Sequence, residues 1–286
     1  MKKNILVTGG NGQLGMELSV LSHNHTEFNW TFTDRSTLDL SAVDDLNEKL
    51  ALFSPDILIN CAAYTAVDKA EEETALADKI NHQAVGIMSR WCAEHGCKFI
   101  HISTDYVFDG LSSQALTEEA ATNPINVYGS TKLAGEEMCM SMNPEAIILR
   151  TSWVYSEFGH NFVKTMIKLL REREELNIVN DQIGSPTYAR DLANAISHIF
   201  QQETWQAGIY HYSNEGEISW FQFASDIQEI IGTHCRLNGV TTDKYPTPAK
   251  RPKYSLLNKH KIKSTFHVEV PNYKSSLIHC LEKLTA

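Results

Sequence analysis

Tyr128 and Lys132 lie four positions apart in this chain. On a helix this spacing places the phenol and the ammonium on one face, about one turn apart. A free phenol has a pKa of about 10, and a nearby cation lowers that pKa toward the working range. Such a pair could give a proton to the alkoxide that forms when a carbonyl accepts hydride from a cofactor. The spacing alone is common, so its interpretation depends on the surrounding sequence.

The sequence feature that most strongly supports a cofactor-dependent site is a glycine-rich segment near the N-terminus. Gly9, Gly12 and Gly15 follow directly after the short apolar run at 4–8. This order predicts a strand, a tight turn and a helix from Gly12 to about residue 21. The glycines would let the backbone approach a pyrophosphate, which would rest on the free N–H groups of the helix N-terminus. The segment predicts a dinucleotide site, with an ordinary glycine-rich loop as the alternative.

The predicted second strand, at about 28–33, ends at Asp34 and Arg35. An acidic residue at this position is expected to bind the ribose 2′-hydroxyl of NAD, whereas an arginine favours the 2′-phosphate of NADP. Because the chain has one of each, the choice between NADH and NADPH stays open. A charged turn without a cofactor role is the alternative for either residue alone.

Composition excludes several classes of protein. The net charge of −10 over 286 residues argues against nucleic acid as a partner. No apolar run reaches the ~18 residues that span a bilayer, and no signal peptide precedes Asn4, so we expect a cytoplasmic protein. The six cysteines form no C-x-x-C pair, which predicts free thiols and neither disulfides nor structural zinc.

Strand and helix patterns alternate through the middle of the chain. Apolar strands are predicted at 57–63, 98–102 and 146–149, and a long helix at about 73–94. This alternation predicts an α/β fold, a Rossmann-type doubly wound parallel sheet with a smaller C-terminal substrate-binding lobe.

Ligands of such sheets bind at the carboxyl edge of the strands. The predicted strands deliver Ala63, Thr104 and Trp153 to that edge, and the helix carrying Tyr128 follows. The Thr104 hydroxyl could hydrogen-bond a substrate carbonyl beside the tyrosine. Capping of its own backbone is the alternative.

Together these motifs resemble the extended short-chain dehydrogenase/reductases and, more narrowly, the dTDP-4-dehydrorhamnose reductase family. The narrower resemblance rests on segments that span nearly the whole chain: 62–71, 103–108, 126–136, 150–155, 180–187 and 245–252. It implies hydride transfer from NADPH or NADH to C4 of a 4-keto-6-deoxy nucleotide sugar. Tyr128 would be the general acid, Lys132 would hold the nicotinamide ribose, and Thr104 would contact the reacting sugar.

The resemblance also implies the remaining site residues. Those assigned to the cofactor are Gly9, Gly12, Gln13, Leu14, Asp34, Arg35, Asp39, Leu40, Ala63, Tyr64, Thr65, Tyr128 and Lys132. Those assigned to the substrate are Thr104, Asp105 and Trp153. We expect a cofactor domain at 1–152 with about 189–207, and a nucleotide-sugar lobe at 153–188 and 208–286.

Two charged features belong to the later chain. Lys250, Arg251 and Lys253 form a basic cluster that could attract a diphosphate, with a solvated basic loop as the alternative. Some family members have a glutamate where this chain has Arg190, as part of a magnesium site between subunits that Glu17 could otherwise match. The positive charge of an arginine repels a metal cation, so we do not expect magnesium here. The oligomeric state stays open, with a homodimer as one alternative.

Other functions stay open at this point. A dehydratase of the superfamily follows the threonine with Asp-Glu, whereas here Tyr106 follows Asp105, which disfavours elimination. An epimerase, or a regulatory subunit that binds the cofactor without catalysis, remains as an alternative. The stereochemistry at C4 and the nucleotide are not determined by these residues.

Overall fold

The computed structural model describes residues 2–285. The strands are β1 (Asn4–Thr8), β2 (Asn29–Thr33), β3 (Ile57–Asn60), β4 (Lys98–Thr104), β5 (Ile147–Thr151), β6 (Val154–Tyr155), β7 (Glu175–Val179), β8 (Ile183–Gly184), β9 (Thr187–Tyr188), β10 (Gly208–His211), β11 (Ile218–Ser219) and β12 (Arg236–Val240). The helices are α1 (Gln13–Ser22), α2 (Leu46–Phe53), α3 (Val67–Ala70), α4 (Thr74–Asp78), α5 (Ala84–His95), α6 (Val127–Met142), α7 (Phe162–Glu172), α8 (Ala189–Gln201), α9 (Trp220–Ile231), α10 (His260–Phe266) and α11 (Tyr273–Thr285).

A six-stranded sheet in the order β10-β5-β4-β3-β1-β2 forms the centre of the molecule. Every neighbouring pair is parallel. Helices cover both faces, so a central strand such as β3 is buried along its whole length. The chain reverses its winding direction between β1 and β3, which opens a crevice at the carboxyl ends of these strands. The predicted doubly wound α/β fold is confirmed.

Alternate residues of a strand pack into two different hydrophobic cores, one on each face of the sheet. Ile5 and Val7 of β1 pack with α1, α8 and α10 on one face. Leu6, between them, packs with α2 and α5 on the other face. This period of two follows from the pleat of the strand. The glycine loop is thereby anchored through β1 to both cores.

The long helix predicted at about 73–94 is interrupted. A π-helical turn, Lys79–Gln83, joins α4 to α5. Its Asn81 side chain accepts from the Tyr64 N–H at 2.8 Å and donates to the Tyr64 carbonyl at 3.1 Å. The irregular turn therefore holds the loop that leaves β3, in keeping with the frequent position of π turns at binding sites.

A third core lies in the C-terminal half and joins α7, α9 and α11 around residues such as Tyr155, Phe223 and Leu277. Two pieces of the expected lobe at 208–286 lie elsewhere. β10 pairs in parallel with β5 in the main sheet, and α10 packs on the same sheet. The reason is that α8 forms the crossover after β5, which returns the chain to the sheet edge. We keep the two-lobe division as a proposal, with 208–211 and 260–266 assigned to the sheet.

The helices and the cysteines can be compared with the expectations drawn from composition. No helix within residues 2–285 is long and apolar enough to cross a membrane. All six cysteines are free thiols, and five of them are buried. For Cys61, Cys139 and Cys280, burial raises the pKa of the thiol. A raised pKa keeps a thiol protonated and unreactive.

Candidate active site

A cleft of about 1040 Å³ opens at the carboxyl edge of the sheet. Every residue that the resemblance assigned to the cofactor or the substrate lines this cleft: Gly9, Gly12, Gln13, Leu14, Asp34, Arg35, Asp39, Leu40, Ala63, Tyr64, Thr65, Thr104, Asp105, Tyr128, Lys132 and Trp153. The fold therefore brings the predicted residues together, while their individual roles stay predictions.

The glycine loop approaches neighbouring backbone too closely for a larger residue. Gly9 has a φ of +68°, and a Cβ there would lie 2.8 Å from the Ala62 nitrogen. A Cβ on Gly15 would lie 2.3 Å from the Gly9 carbonyl oxygen. Gly12 caps α1 without a side-chain hydrogen bond, which leaves first-turn N–H groups for an anion. These features fit the diphosphate of a dinucleotide.

Asp34 is held as a carboxylate at the end of β2. It accepts from the Ser36 N–H at 2.9 Å and from Asn11 Nδ2 at 2.8 Å. Hydrogen bonds, chiefly from Ser36, lower the pKa of Asp34 to about 2. Arg35 is 79% exposed and reaches only Asp39, at 3.5 Å. An acceptor for a ribose hydroxyl and a guanidinium for a phosphate are both present.

The helix that carries Tyr128 is docked against the end of β4. Asn126 caps α6 by accepting from the Gly129 N–H at 2.7 Å. A Cβ on Gly129 would lie 2.2 Å from the Tyr106 carbonyl oxygen, so the helix backbone touches the turn that follows β4. This contact places Tyr128 beside Thr104, as the sequence predicted for residues at one sheet edge.

The pKa of Tyr128 differs from the sequence expectation. Burial is the main effect on this phenol and raises its pKa to about 12, while a hydrogen bond with Thr104 opposes the rise. Lys132 does not lower it. The lysine instead donates to the Ile102 carbonyl at 2.6 Å, and burial lowers the pKa of its ammonium to about 8. The sequence shows the four-residue spacing but not where the lysine side chain ends.

Thr104 makes the local capping contact that the sequence analysis gave as the alternative, and its contact with a substrate stays a prediction. The Thr104 hydroxyl accepts from the Tyr106 N–H at 3.2 Å, which is local capping, and donates to Asp105 Oδ1 at 3.1 Å. Asp105 Oδ2 is buried and has no hydrogen-bond partner. Burial raises the pKa of Asp105 to about 6, and the hydrogen bond from Thr104 opposes the rise. An unpaired acceptor in the cleft suits a sugar hydroxyl.

Trp153 follows β5 in a strained conformation. Its φ of +48° is in the left-handed region, which is rare for a residue other than glycine. The indole stacks on Trp220 with ring centroids 3.7 Å apart and lies against Gly184. Such strain is common at binding sites, where the packing around a residue enforces it. Trp153 thus presents a fixed aromatic wall to the cleft.

Sequence reasoning missed two parts of the site. The Tyr106 ring meets the Tyr128 ring edge-on at 5.4 Å. Arg251, which was expected to serve a diphosphate, forms a bidentate ion pair with Asp68, with both N–O distances at 2.7 Å. The pair lies 183 positions apart in the chain, so no local pattern could reveal it. It joins α3 to the C-terminal segment beside the cleft.

The residues that the resemblance relates to a magnesium site do not fit a divalent cation. Arg190 Nε donates to Glu17 Oε2 at 3.0 Å, and Arg190 Nη2 donates to Glu157 Oε1 at 3.0 Å. Lys283 lies 3.6 Å from the same Glu157 oxygen. Over residues 2–285, no three His, Cys, Asp or Glu side chains are grouped to hold a metal ion. The guanidinium already supplies the positive charge between these carboxylates.

Relatives of known family share this architecture. A family model described as the RmlD substrate binding domain matches residues 1–286. A dTDP-4-dehydrorhamnose reductase of Aggregatibacter actinomycetemcomitans is 38% identical over 283 residues, which cover 96% of each chain.

Solved structures agree over nearly the whole chain. A dTDP-4-dehydrorhamnose reductase from Clostridium acetobutylicum superposes with a TM-score of 0.95 at 38% identity, covering 99% of this chain and 100% of that chain. A second, from Bacillus anthracis in complex with NADP, gives a TM-score of 0.94 at 37% identity with the same coverage. The narrower resemblance drawn from the sequence is confirmed, and the chain belongs to the RmlD substrate-binding-domain family.

Proposed function

We propose that this protein reduces the C4 keto group of dTDP-4-dehydro-β-L-rhamnose with NADPH or NADH. The product is dTDP-L-rhamnose, which makes the reaction the last step of dTDP-rhamnose biosynthesis. The observation that carries this proposal is a single cleft lined by the glycine loop and by Thr104, Tyr128 and Lys132. Membership of the family and the names of its close relatives support the same reaction.

The dinucleotide supplies a hydride when it is bound. The free N–H groups at the start of α1 would hold its diphosphate, and Gln13 and Leu14 would line it. Asp34 and Arg35 would meet the adenosine ribose, with Asp39 and Leu40 near the adenine. Ala63, Tyr64 and Thr65 would line the cofactor further along, and Lys132 would bind the nicotinamide ribose.

Tyr128 would protonate the oxygen that becomes the new C4 hydroxyl. A phenol with a pKa of about 12 keeps its proton at neutral pH, so the proton donor is in its acid form before the substrate binds. Thr104, hydrogen-bonded to the phenol, would orient the substrate carbonyl and stabilise the negative charge that develops on the carbonyl oxygen. Asp105 and Trp153 would bind the sugar and the nucleotide side of the substrate.

The decisive experiment combines the purified protein with enzymatically made dTDP-4-dehydro-L-rhamnose and NADPH or NADH. We expect cofactor oxidation in step with formation of dTDP-L-rhamnose, identified by NMR of the sugar. The ratio of kcat/KM for the two cofactors would determine which one is preferred.

The alternatives are separate outcomes of this experiment. A C4 epimer of rhamnose as product would assign another reductase specificity. Sugar interconversion without net cofactor oxidation would indicate an epimerase. No turnover of any 4-keto nucleotide sugar, together with tight cofactor binding, would favour a regulatory subunit. A cytoplasmic location and a homodimer stay predictions.

A further inference from the structure

A buried row of polar side chains continues from Lys132 into the sheet. Lys132 Nζ lies 3.2 Å from His101 Nε2. His101 Nδ1 lies 2.9 Å from Asn60 Nδ2, and Asn60 Oδ1 lies 2.5 Å from the Thr8 hydroxyl. All four side chains are nearly inaccessible to solvent. Buried polar groups are costly unless they are paired, so this row is a constructed feature of β1, β3 and β4.

An ammonium at Lys132 needs acceptors because it is removed from water. It has three hydrogens and no lone pair. The Ile102 carbonyl takes one of them at 2.6 Å, and His101 Nε2, at 3.2 Å, can take a second when the ring hydrogen is on Nδ1. The third is left for the cleft, which Lys132 lines. The two partners come from consecutive residues of one rigid strand, so they fix the position of the nitrogen.

We propose that His101 is a positioning residue for Lys132: its Nε2 accepts a hydrogen bond that holds the ammonium charged and aimed at the cofactor ribose. This inference rests on the proposed function, because it assumes that Lys132 acts on a bound dinucleotide. His101 does not line the cleft, and it acts only through the lysine.

His101 can serve as an acceptor because its ring is neutral. Burial, and then the charge of Lys132, lower the pKa of His101 well below its ordinary value. The charged or titratable groups that act on the lysine are Glu136 and Cys139 on α6, and His101 on β4. Glu136, which is paired with Arg150 at 2.7 Å, acts on Lys132 through its charge and raises the pKa of the ammonium. The imidazole adds a contact at hydrogen-bond distance, which fixes the direction as well as the charge of the ammonium.

Asn60 would control which ring nitrogen carries the hydrogen. As placed, Asn60 Nδ2 donates to His101 Nδ1, and the ring then donates through Nε2 to a neutral amine. A half-turn of the amide exchanges its oxygen and nitrogen without changing its shape. The oxygen then accepts from Nδ1–H, and Nε2 is free to accept from the ammonium. The row has one arrangement for each protonation state of Lys132.

Two substitutions at position 101 separate this role from simple packing. A glutamine places an acceptor near the former Nε2, so His101→Gln should retain the contact with Lys132. An asparagine reaches only toward Asn60, so His101→Asn should lose it. We expect His101→Asn to reduce kcat/KM about tenfold and to move the alkaline limb of its pH profile about one unit lower. The limb moves down because an ammonium without an acceptor is less stable. His101→Gln should keep the wild-type limb.

His211 provides the matched control. It is also fully buried, lies on β10 of the same sheet, and does not line the cleft. His211→Gln and His211→Asn should leave the pH profile unchanged. Equal profiles for His101→Gln and His101→Asn, or an unshifted limb in a folded His101→Asn protein, would overturn the proposal.

A titration of the wild-type protein tests the same contact without any variant or substrate. With isotope-labelled lysine and histidine, the NMR signal of Lys132 Nζ should titrate with a midpoint near its lowered pKa. The His101 Nε2 signal should change with the same midpoint, because the two atoms share one hydrogen bond. Different midpoints would contradict the inference. Since this measurement needs no turnover, its failure is distinguishable from a failure of the proposed reaction.

Discussion

At the scale of single residues, burial sets the chemistry of the cleft. It raises the pKa of Tyr128 to about 12 and lowers that of Lys132 to about 8. The two groups are therefore both shifted toward their neutral forms. Thr104 moderates the phenol, and the carbonyl of Ile102 holds the amine. The pKa values of the phenol and the ammonium are therefore set separately, by different neighbours.

Replacement of Tyr128 by phenylalanine removes only the proton-donating oxygen. We expect Tyr128→Phe to lower kcat by a factor of about 10² to 10⁴ with NADPH affinity unchanged. Steady-state rates and a binding titration with NADPH measure the two effects. Tyr245→Phe is the control, since Tyr245 is exposed and does not line the cleft. Near-normal turnover of Tyr128→Phe would contradict the assigned role.

Asp105 makes folding stability depend on pH. Its pKa is about 6 in the folded protein, above the ordinary value of 3.8 for an aspartate. The stability that its protonated form contributes is therefore present below pH 4 and is lost as the pH rises through 6. The shift corresponds to about 3 kcal/mol. Asp105→Asn should therefore gain stability over the wild type between pH 4 and pH 7, by up to that amount.

Urea unfolding of both proteins at several pH values measures this difference. The exposed Asp45→Asn variant serves as the control and should track the wild type. A difference between Asp105→Asn and the wild type that is the same at all pH values would show that Asp105 ionises freely in the fold.

At the scale of elements, α6 is positioned by backbone contacts at its glycines. A Cβ on Gly129 would lie 2.2 Å from the Tyr106 carbonyl, and one on Gly135 would lie 2.0 Å from the Asn81 carbonyl. Carbonyl oxygens of the chain cannot move aside as a flexible side chain can. The helix therefore rests directly on the turn after β4 and on the π-helical turn. These two contacts determine how Tyr128 and Lys132 face the cleft.

Gly129→Ala should force α6 away from the turn after β4. We expect a loss of about 1–3 kcal/mol in the free energy of unfolding and a fall in kcat of up to about 100-fold, since small displacements of catalytic groups are costly. Denaturant unfolding and steady-state kinetics measure these effects. Ser130→Ala changes the next, exposed residue and should have little effect on either. Unchanged kcat in Gly129→Ala would show that the contact does not position Tyr128.

At the scale of the whole molecule, ion pairs join distant parts of the chain. Arg190 of α8 binds Glu17 of α1 and Glu157, which follows β6. Glu17 is buried, and its burial together with nearby Glu157 raises the pKa of Glu17 to about 8. A pKa of about 8 keeps Glu17 protonated at neutral pH, so a single guanidinium binds a neutral carboxyl group and the Glu157 carboxylate together. The cluster therefore joins α1, α8 and the segment after β6.

Because Arg190 occupies this position, removal of divalent cations should have no effect. We expect dialysis against EDTA to leave the Tm and the turnover number unchanged, and added magnesium to restore nothing. Thermal unfolding and steady-state rates before and after treatment provide the measurement. A Tm that falls with EDTA and recovers with magnesium would show a cation site that these residues do not suggest.

The features that could be predicted from the sequence are those encoded in short segments of the chain. The glycine spacing after β1, the apolar runs of the parallel strands and the motif around Tyr128 each lie within one short segment. Strand ends in a parallel sheet meet at one edge, so the positions of Ala63, Thr104 and Trp153 in the chain predicted that they line one cleft with Tyr128. The other cleft residues were predicted from the family resemblance, which the same short segments carry. The wound sheet was predicted from the alternation of strands and helices.

Contacts between distant segments of the chain could be identified only from the folded structure. It paired Lys132 with β4 rather than with Tyr128, paired Arg251 with Asp68, and returned β10 to the main sheet. Each depends on where a side chain or strand ends in space after packing, and no short segment encodes that. The pKa values depend on burial, which exists only once the chain has folded. For this protein the sequence therefore identifies the residues that line the cleft, and the fold determines their charge and their partners.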